Sequence, residues 1–185
     1  MSWHPYRMQQ EGRRQTGVSH AAHAISTALK REGPMQEADT RIEVQYAITA
    51  EGIPEADEVR LWVDCALEGR RPAAELAVRI VDEAEITALN RRYRGKDGAT
   101  NVLSFPFEAM PGVETEQLGD VVICAPVVAA EAVTQGKPLE AHWAHIVIHG
   151  VLHLLGHDHY GDEAAQEMEE LEIRLLASLG FPDPY

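Results

Sequence analysis

The chain has 185 residues, a formal net charge of −14 at pH 7 and 45% hydrophobic residues. This is the profile of one ordinary globular domain with a real core, and its acidic balance argues against a generally basic, nonspecific nucleic-acid binder while leaving room for a local basic cleft. No apolar run approaches a membrane span, and Cys65 and Cys124, distant in sequence and in no C-x-x-C, imply no disulfide scaffold.

Residues 1–38 are rich in Gln, Arg, His, Gly and Ala, with little apolar periodicity and a slight basic excess. They lack a signal-peptide h-region, so the expectation is a largely disordered extension with a short helix over His20–Arg31. A start assigned too early, with Met35 nearer the true beginning, is the alternative. One folded domain is expected over 39–185.

Within it, Ile42, Val44, Tyr46 and Ile48 alternate with polar or small residues, as in a half-buried strand. Pro54 opens a helix carrying Val59, Leu61, Trp62, Val63, Ala66 and Leu67, and Gly69 ends it. Leu76, Val78 and Ile80 mark a second strand. Asp82 followed by Glu85 has the form of a capping box for a helix with Ile86, Leu89 and Tyr93, broken by Gly95, Asp97 and Gly98. Val102–Phe107 is a short strand, and Pro106 places it at an edge or a strand end. An acidic loop leads to a strand at Leu118–Cys124, and Pro126 begins an alanine-rich helix to Gln135.

Pro138 starts the most informative stretch, where six of the nine histidines lie between His142 and His159. Its apolar residues (Ile146, Val147, Ile148, Val151, Leu152, Leu154, Leu155) have helical spacing. His149 and His153, four apart, point to one side. Gly156 is a natural left-handed stop, after which the chain can double back and deliver His159 to the same point. The alternative sets, His145/His149/His153 and His149/His153/His157, would spread their outer members roughly 12 Å along one helix, too far for one ion. Three imidazoles with a fourth position left for water describe a catalytic zinc site.

A last amphipathic helix from an Asp162 cap buries Met168, Leu171, Leu175, Leu176 and Leu179, and Gly180 and Pro182 stop it. Glu163, Glu167, Glu169, Glu170 and Glu172 are expected on its solvated face. The element order, βαβα followed by two strands and then helices, predicts an α/β (α+β) layer with one mixed four-stranded sheet, the histidine helix lying across it.

His149-x3-His153-x2-Gly156-x2-His159 has the ligand and glycine spacing of the metzincin metallopeptidases, but Gly150 stands where those enzymes carry their general-base Glu. Peptide hydrolysis needs that base for a poor amine leaving group. Zinc can still bring water toward a pKa near 7 and polarise a phosphoryl oxygen, which suits an easier leaving group.

The run Trp143–His159 closely resembles the signature of the YbeY family of ribonucleases and rRNA maturation factors. Leu89–Asp97, Thr100–Pro106 and Leu118–Cys124 fit the same family. The resemblance implies a zincin-like fold, zinc (or a substitute such as nickel) on His149, His153 and His159, and Arg94 in the active cleft, with His149 and Arg94 as catalytic residues. It implies a single-strand-specific endoribonuclease of the bacterial cytoplasm, acting in 16S rRNA 3′-end maturation and ribosome quality control, with the small ribosomal subunit and assembly factors as partners and no membrane. His157 departs from the family, which usually has Tyr there.

Arg91, Arg92, Arg94 and Lys96 cluster beside glycines, suited either to phosphate binding or to a plain solvated face. Aromatic content of 6% predicts little base stacking and weak sequence readout. Asp158 is a candidate to orient a ligand imidazole or to cap the turn. His142 and His145 are expected to pack around the site, and Asn101 and Ser104 either line the cleft or end a strand. Two other functions stay open: a ribosome-assembly binding factor whose metal is mainly structural, and a zincin-type hydrolase of another substrate.

Overall fold

The computed structural model describes residues 40–110, 112–157 and 161–185. The extension, Asp158 and His159 lie outside the described residues. The elements run β1 (Arg41–Tyr46), α1 (Ala56–Leu67), β2 (Glu75–Val81), α2 (Glu83–Arg94), β3 (Val102–Pro106), β4 (Gln117–Cys124), α3 (Ala125–Gln135), α4 (Leu139–Leu154) and α5 (Asp162–Ser178).

The sheet order is β1-β2-β4-β3. The two crossovers through helices leave β1, β2 and β4 parallel, while β3 pairs antiparallel with β4 along the edge. This is the expected α/β layer around a mixed four-stranded sheet. Pro106 closes the edge strand, where a missing N–H leaves the fewest ladder bonds unmade. Strand side chains alternate between faces, so β4 serves two cores. Val121 and Ile123 face the large one, with Trp62, Trp143, Ile148, Leu152, Met168 and Leu176 from α1, α4 and α5. Val122 and Cys124 face a small one completed by Val81, Ile86 and Leu103. Both cysteines are free, Cys124 buried and Cys65 half-buried. No helix among the described residues is long and apolar enough to cross a membrane.

Two caps differ from expectation. Asp82 accepts from the Glu85 N–H at 2.8 Å, but the Glu85 carboxylate turns to Arg79 at 2.7 and 3.1 Å, so half of the box forms and the other half ties α2 to β2. Asp162 is the first residue of α5, and Gly161 occupies the capping position.

The decisive contact for the site is the approach of α4 to the sheet. A Cβ on Gly150 would meet Val121 Cγ1 at 2.6 Å, Val102 Cγ2 at 3.3 Å and Ser104 Oγ at 3.4 Å. Only a residue without a side chain lets the helix come this close. Ser104 Oγ donates to the Gly150 carbonyl at 2.8 Å and locks the approach. Gly150→Ala should therefore destabilise. Overpacking costs about 1–3 kcal/mol, against about 1 kcal/mol gained in helix propensity, and Val121→Ala in the same chain should recover part of the loss. Urea unfolding checks this; a more stable Gly150→Ala protein would contradict it.

Candidate metal centre

Four histidines form one stripe along α4, at 142, 145, 149 and 153, spaced three, four and four residues apart. Successive ring centroids stand 6.2, 6.0 and 4.7 Å apart. Beyond the first turn, where Glu140 is exposed, the other residues of the helix are apolar and buried, so the stripe is its polar side.

At the lower end the two expected ligands converge, with His149 Nε2 and His153 Nε2 separated by 3.2 Å. Two nitrogens about 2.0–2.1 Å from one tetrahedral ion stand roughly 3.4 Å apart, so the pair has the spacing an ion requires. After Leu154 the chain turns at Gly156, whose φ of +90° is in the left-handed region that favours glycine. The His157 N–H closes the turn on the Leu152 carbonyl at 3.0 Å.

Behind His149 lies a residue that the sequence reading put on the solvated face of α5. Glu172 is 0% exposed. Oε1 accepts from His149 Nδ1 at 2.7 Å, and Oε2 accepts from His145 Nε2 at 3.2 Å and from the Tyr185 hydroxyl. Burial is the largest single influence on this carboxyl and pushes its pKa up. The hydrogen bonds from His145 and His149, the charge of His149 and the Tyr185 bond together outweigh burial and hold the pKa at about 2. An ionised Glu172 can only accept, so the neutral His149 ring carries its one proton on Nδ1 and turns the Nε2 lone pair toward His153. A carboxylate–imidazole pair of this kind orients a metal ligand and raises its basicity.

His145, His149 and Glu172 also place ligand atoms within 4.8 Å of one another. The 2.7 Å between His149 Nδ1 and Glu172 Oε1 is too short for two atoms sharing one ion, and fits a hydrogen bond.

The upper end of the stripe is a separate network. His142, 3% exposed, bonds through Nε2 to Glu131 Oε2 at 2.9 Å, and Asn101 Nδ2 donates to both oxygens of the same carboxylate at 3.1 and 3.3 Å. Asn101 thus joins β3 to α3. Ser104 is buried under α4 and does not line an open cleft.

The basic cluster divides. Arg91 pairs with Asp97 at 2.8 Å, and Arg92 lies over the Tyr93 ring at 5.1 Å. Arg94, exposed at the end of α2, donates from Nη2 to the Ser104 carbonyl at 3.0 Å. Ser104 in turn reaches Gly150, the residue after His149, so two hydrogen bonds link Arg94 to the histidine helix.

A sequence model of the family described as endoribonuclease YbeY matches residues 49–180. The solution structure of TM1509 from Thermotoga maritima is similar to this chain at 27% identity and a TM-score of 0.54, covering 76% of this chain and 88% of its own.

Burial lowers the His142 pKa below its ordinary 6.5, against the opposing bond and charge of Glu131 and with smaller downward contributions from His145 and Lys137. Below pH 6.5 the unfolded imidazole takes up a proton that the folded one resists, so stability falls as the pH drops through that value. His142→Gln keeps a donor for Glu131 and removes the proton. Urea unfolding should show a shallower loss of stability for the variant from about pH 6.5 to 5; parallel losses would contradict this.

Proposed function

Because the chain belongs to the YbeY endoribonuclease family, we propose that residues 39–185 form one zinc-dependent hydrolase domain that cuts single-stranded RNA, with His149, His153 and His159 as ligands and Arg94 on the scissile phosphate. The observation that carries the reading is the convergence of His149 Nε2 and His153 Nε2 at 3.2 Å, with a buried carboxylate fixing the first ring from behind. Extended to biology, the proposal is maturation of the 16S rRNA 3′ end and ribosome quality control in a bacterial cytoplasm, with the small subunit and assembly factors as partners.

A zinc ion in this position supplies a Lewis acid for a phosphoryl oxygen and acidifies water. The chain's own residues do the rest. Glu172 holds the His149 ring and its tautomer. Arg94, steadied by the Ser104 carbonyl, keeps guanidinium donors for phosphate oxygens. A cation fixed where negative charge accumulates lowers the barrier more than it tightens ground-state binding. The other basic residues of the cluster add backbone affinity without base readout.

A peptidase reading meets a steric objection. The side-chain direction at position 150 leads into Val121, Val102 and Ser104, so a carboxylate placed there would enter the sheet and could not serve as a base at the His149–His153 end. Gly150→Glu should yield a destabilised protein without peptidase activity.

Two experiments bear on the assignment. His159→Ala should lose most of its zinc while His157→Phe keeps it, as metal analysis of the purified proteins would show; an empty His157→Phe protein beside a full His159→Ala protein would overturn the ligand set. Arg94→Glu should slow cleavage of single-stranded RNA on the order of 10²–10³-fold with zinc content and melting temperature unchanged, whereas Arg60→Glu, on the exposed side of α1, should cleave normally. Wild-type cleavage by Arg94→Glu would show the arginine to be surface charge. RNA binding without any cleavage by the unmodified, zinc-loaded protein would favour the assembly-factor alternative.

A further inference from the structure

The segment after α5 does not trail away from the domain. Gly180, at φ +84°, turns the chain, and the Phe181 N–H closes the helix end on the Leu176 carbonyl at 2.9 Å. The Phe181 ring meets Trp62 edge-on at 6.4 Å. Pro182 and Pro184 hold the backbone extended and remove two donors, so the segment cannot continue the helix. Pro184 is buried, and its carbonyl accepts from the Lys137 ammonium. These anchors bring Tyr185 over α4, where its ring stands edge-on to His145 at 5.6 Å and its hydroxyl donates to Glu172.

Apolar burial does not explain this placement, because Tyr185 remains 61% exposed. The specific contact is the hydroxyl on a carboxylate that is itself fully buried. Burial, then the bond to Glu172 and its charge, raise the phenol pKa above its ordinary value, so the group is a donor at neutral pH.

We propose that Tyr185 is a positioning residue of the metal centre: by pinning Oε2 of Glu172 it sets the plane of the carboxylate, and so the place of Oε1, which holds the His149 ring. Residues 181–185 are then a strap that fixes a metal ligand from outside through one hydrogen bond. The inference rests on the reading that His149 and His153 hold a divalent ion. Without the hydroxyl, Oε2 keeps, among the described residues, only the 3.2 Å bond from His145, the carboxylate can swing toward that ring, and His149 loses its fixed partner.

Cobalt(II) in the full-length protein gives readouts independent of RNA cleavage: affinity by competition with a chelator, and the visible absorption of the bound ion. Loss of a carboxylate directly behind a metal-binding imidazole commonly weakens affinity 10–100-fold; one bond further out, Tyr185→Phe should weaken it about 3–10-fold and shift the cobalt spectrum, with the melting temperature little changed. In a Glu172→Gln background the same substitution should add nothing, because both act through one carboxylate. A parent that binds cobalt, with a Tyr185→Phe variant identical to it in affinity and spectrum, overturns the strap alone. So does a full effect of Tyr185→Phe in the Glu172→Gln protein. A parent that takes up no cobalt overturns the metal reading and the strap with it.

Discussion

An ionised carboxylate inside a core is tolerable only when donors surround it, since an unpaired buried charge is among the costliest defects a fold can carry. Glu172 meets that condition with two imidazoles from α4 and a phenol from the segment beyond α5. The same bonds that keep it charged settle which nitrogen of His149 is protonated and where its lone pair points. Stability and site chemistry therefore share one set of contacts, and α5 is needed at the site as much as α4. A change at position 172 would disturb packing and ligand geometry together.

The second dependency is distance. Gly150 lets α4 settle on β3 and β4 closely enough for the Ser104 hydroxyl to bond to the helix backbone. This contact places the edge strand, and through the Ser104 carbonyl Arg94, in a fixed relation to the histidine stripe. The glycine that removes a peptidase's general base is thus also the residue that permits the close approach. Sequence comparison with the metzincins registers only the missing carboxylate; the packing gives the position its own reason to be glycine.

Much of this was legible in the residues. Period-two alternation located the strands, Pro106 marked the edge, and the four-residue spacing of His149 and His153 with Gly156 beyond them announced a converging pair. Glu172 was misplaced although a signal existed: it lies four residues after Met168 and four before Leu176, inside the buried stripe of α5. That phase, and not the acidic composition of the helix, sets its burial. The Asn101–Glu131–His142 network joins the start of β3 to two successive helices, with Asn101 and Glu131 separated by 30 residues, and Tyr185 reaches Glu172 only through a turn and two prolines, so neither had a local pattern to betray it. The Asp82–Glu85 box half formed because Arg79, on the adjoining strand, offered Glu85 a charged partner in place of a backbone N–H.

In the proposed arrangement Glu172 orients a ligand while the ion sits at the His149–His153 end of the stripe. Zinc stoichiometry and affinity of His145→Ala and His153→Ala, measured side by side on folded protein, test it most directly. His153→Ala should lose nearly all its zinc, and His145→Ala should keep a full equivalent at modestly reduced affinity. Zinc retained by His153→Ala and lost by His145→Ala would place the ion among His145, His149 and Glu172 and contradict it.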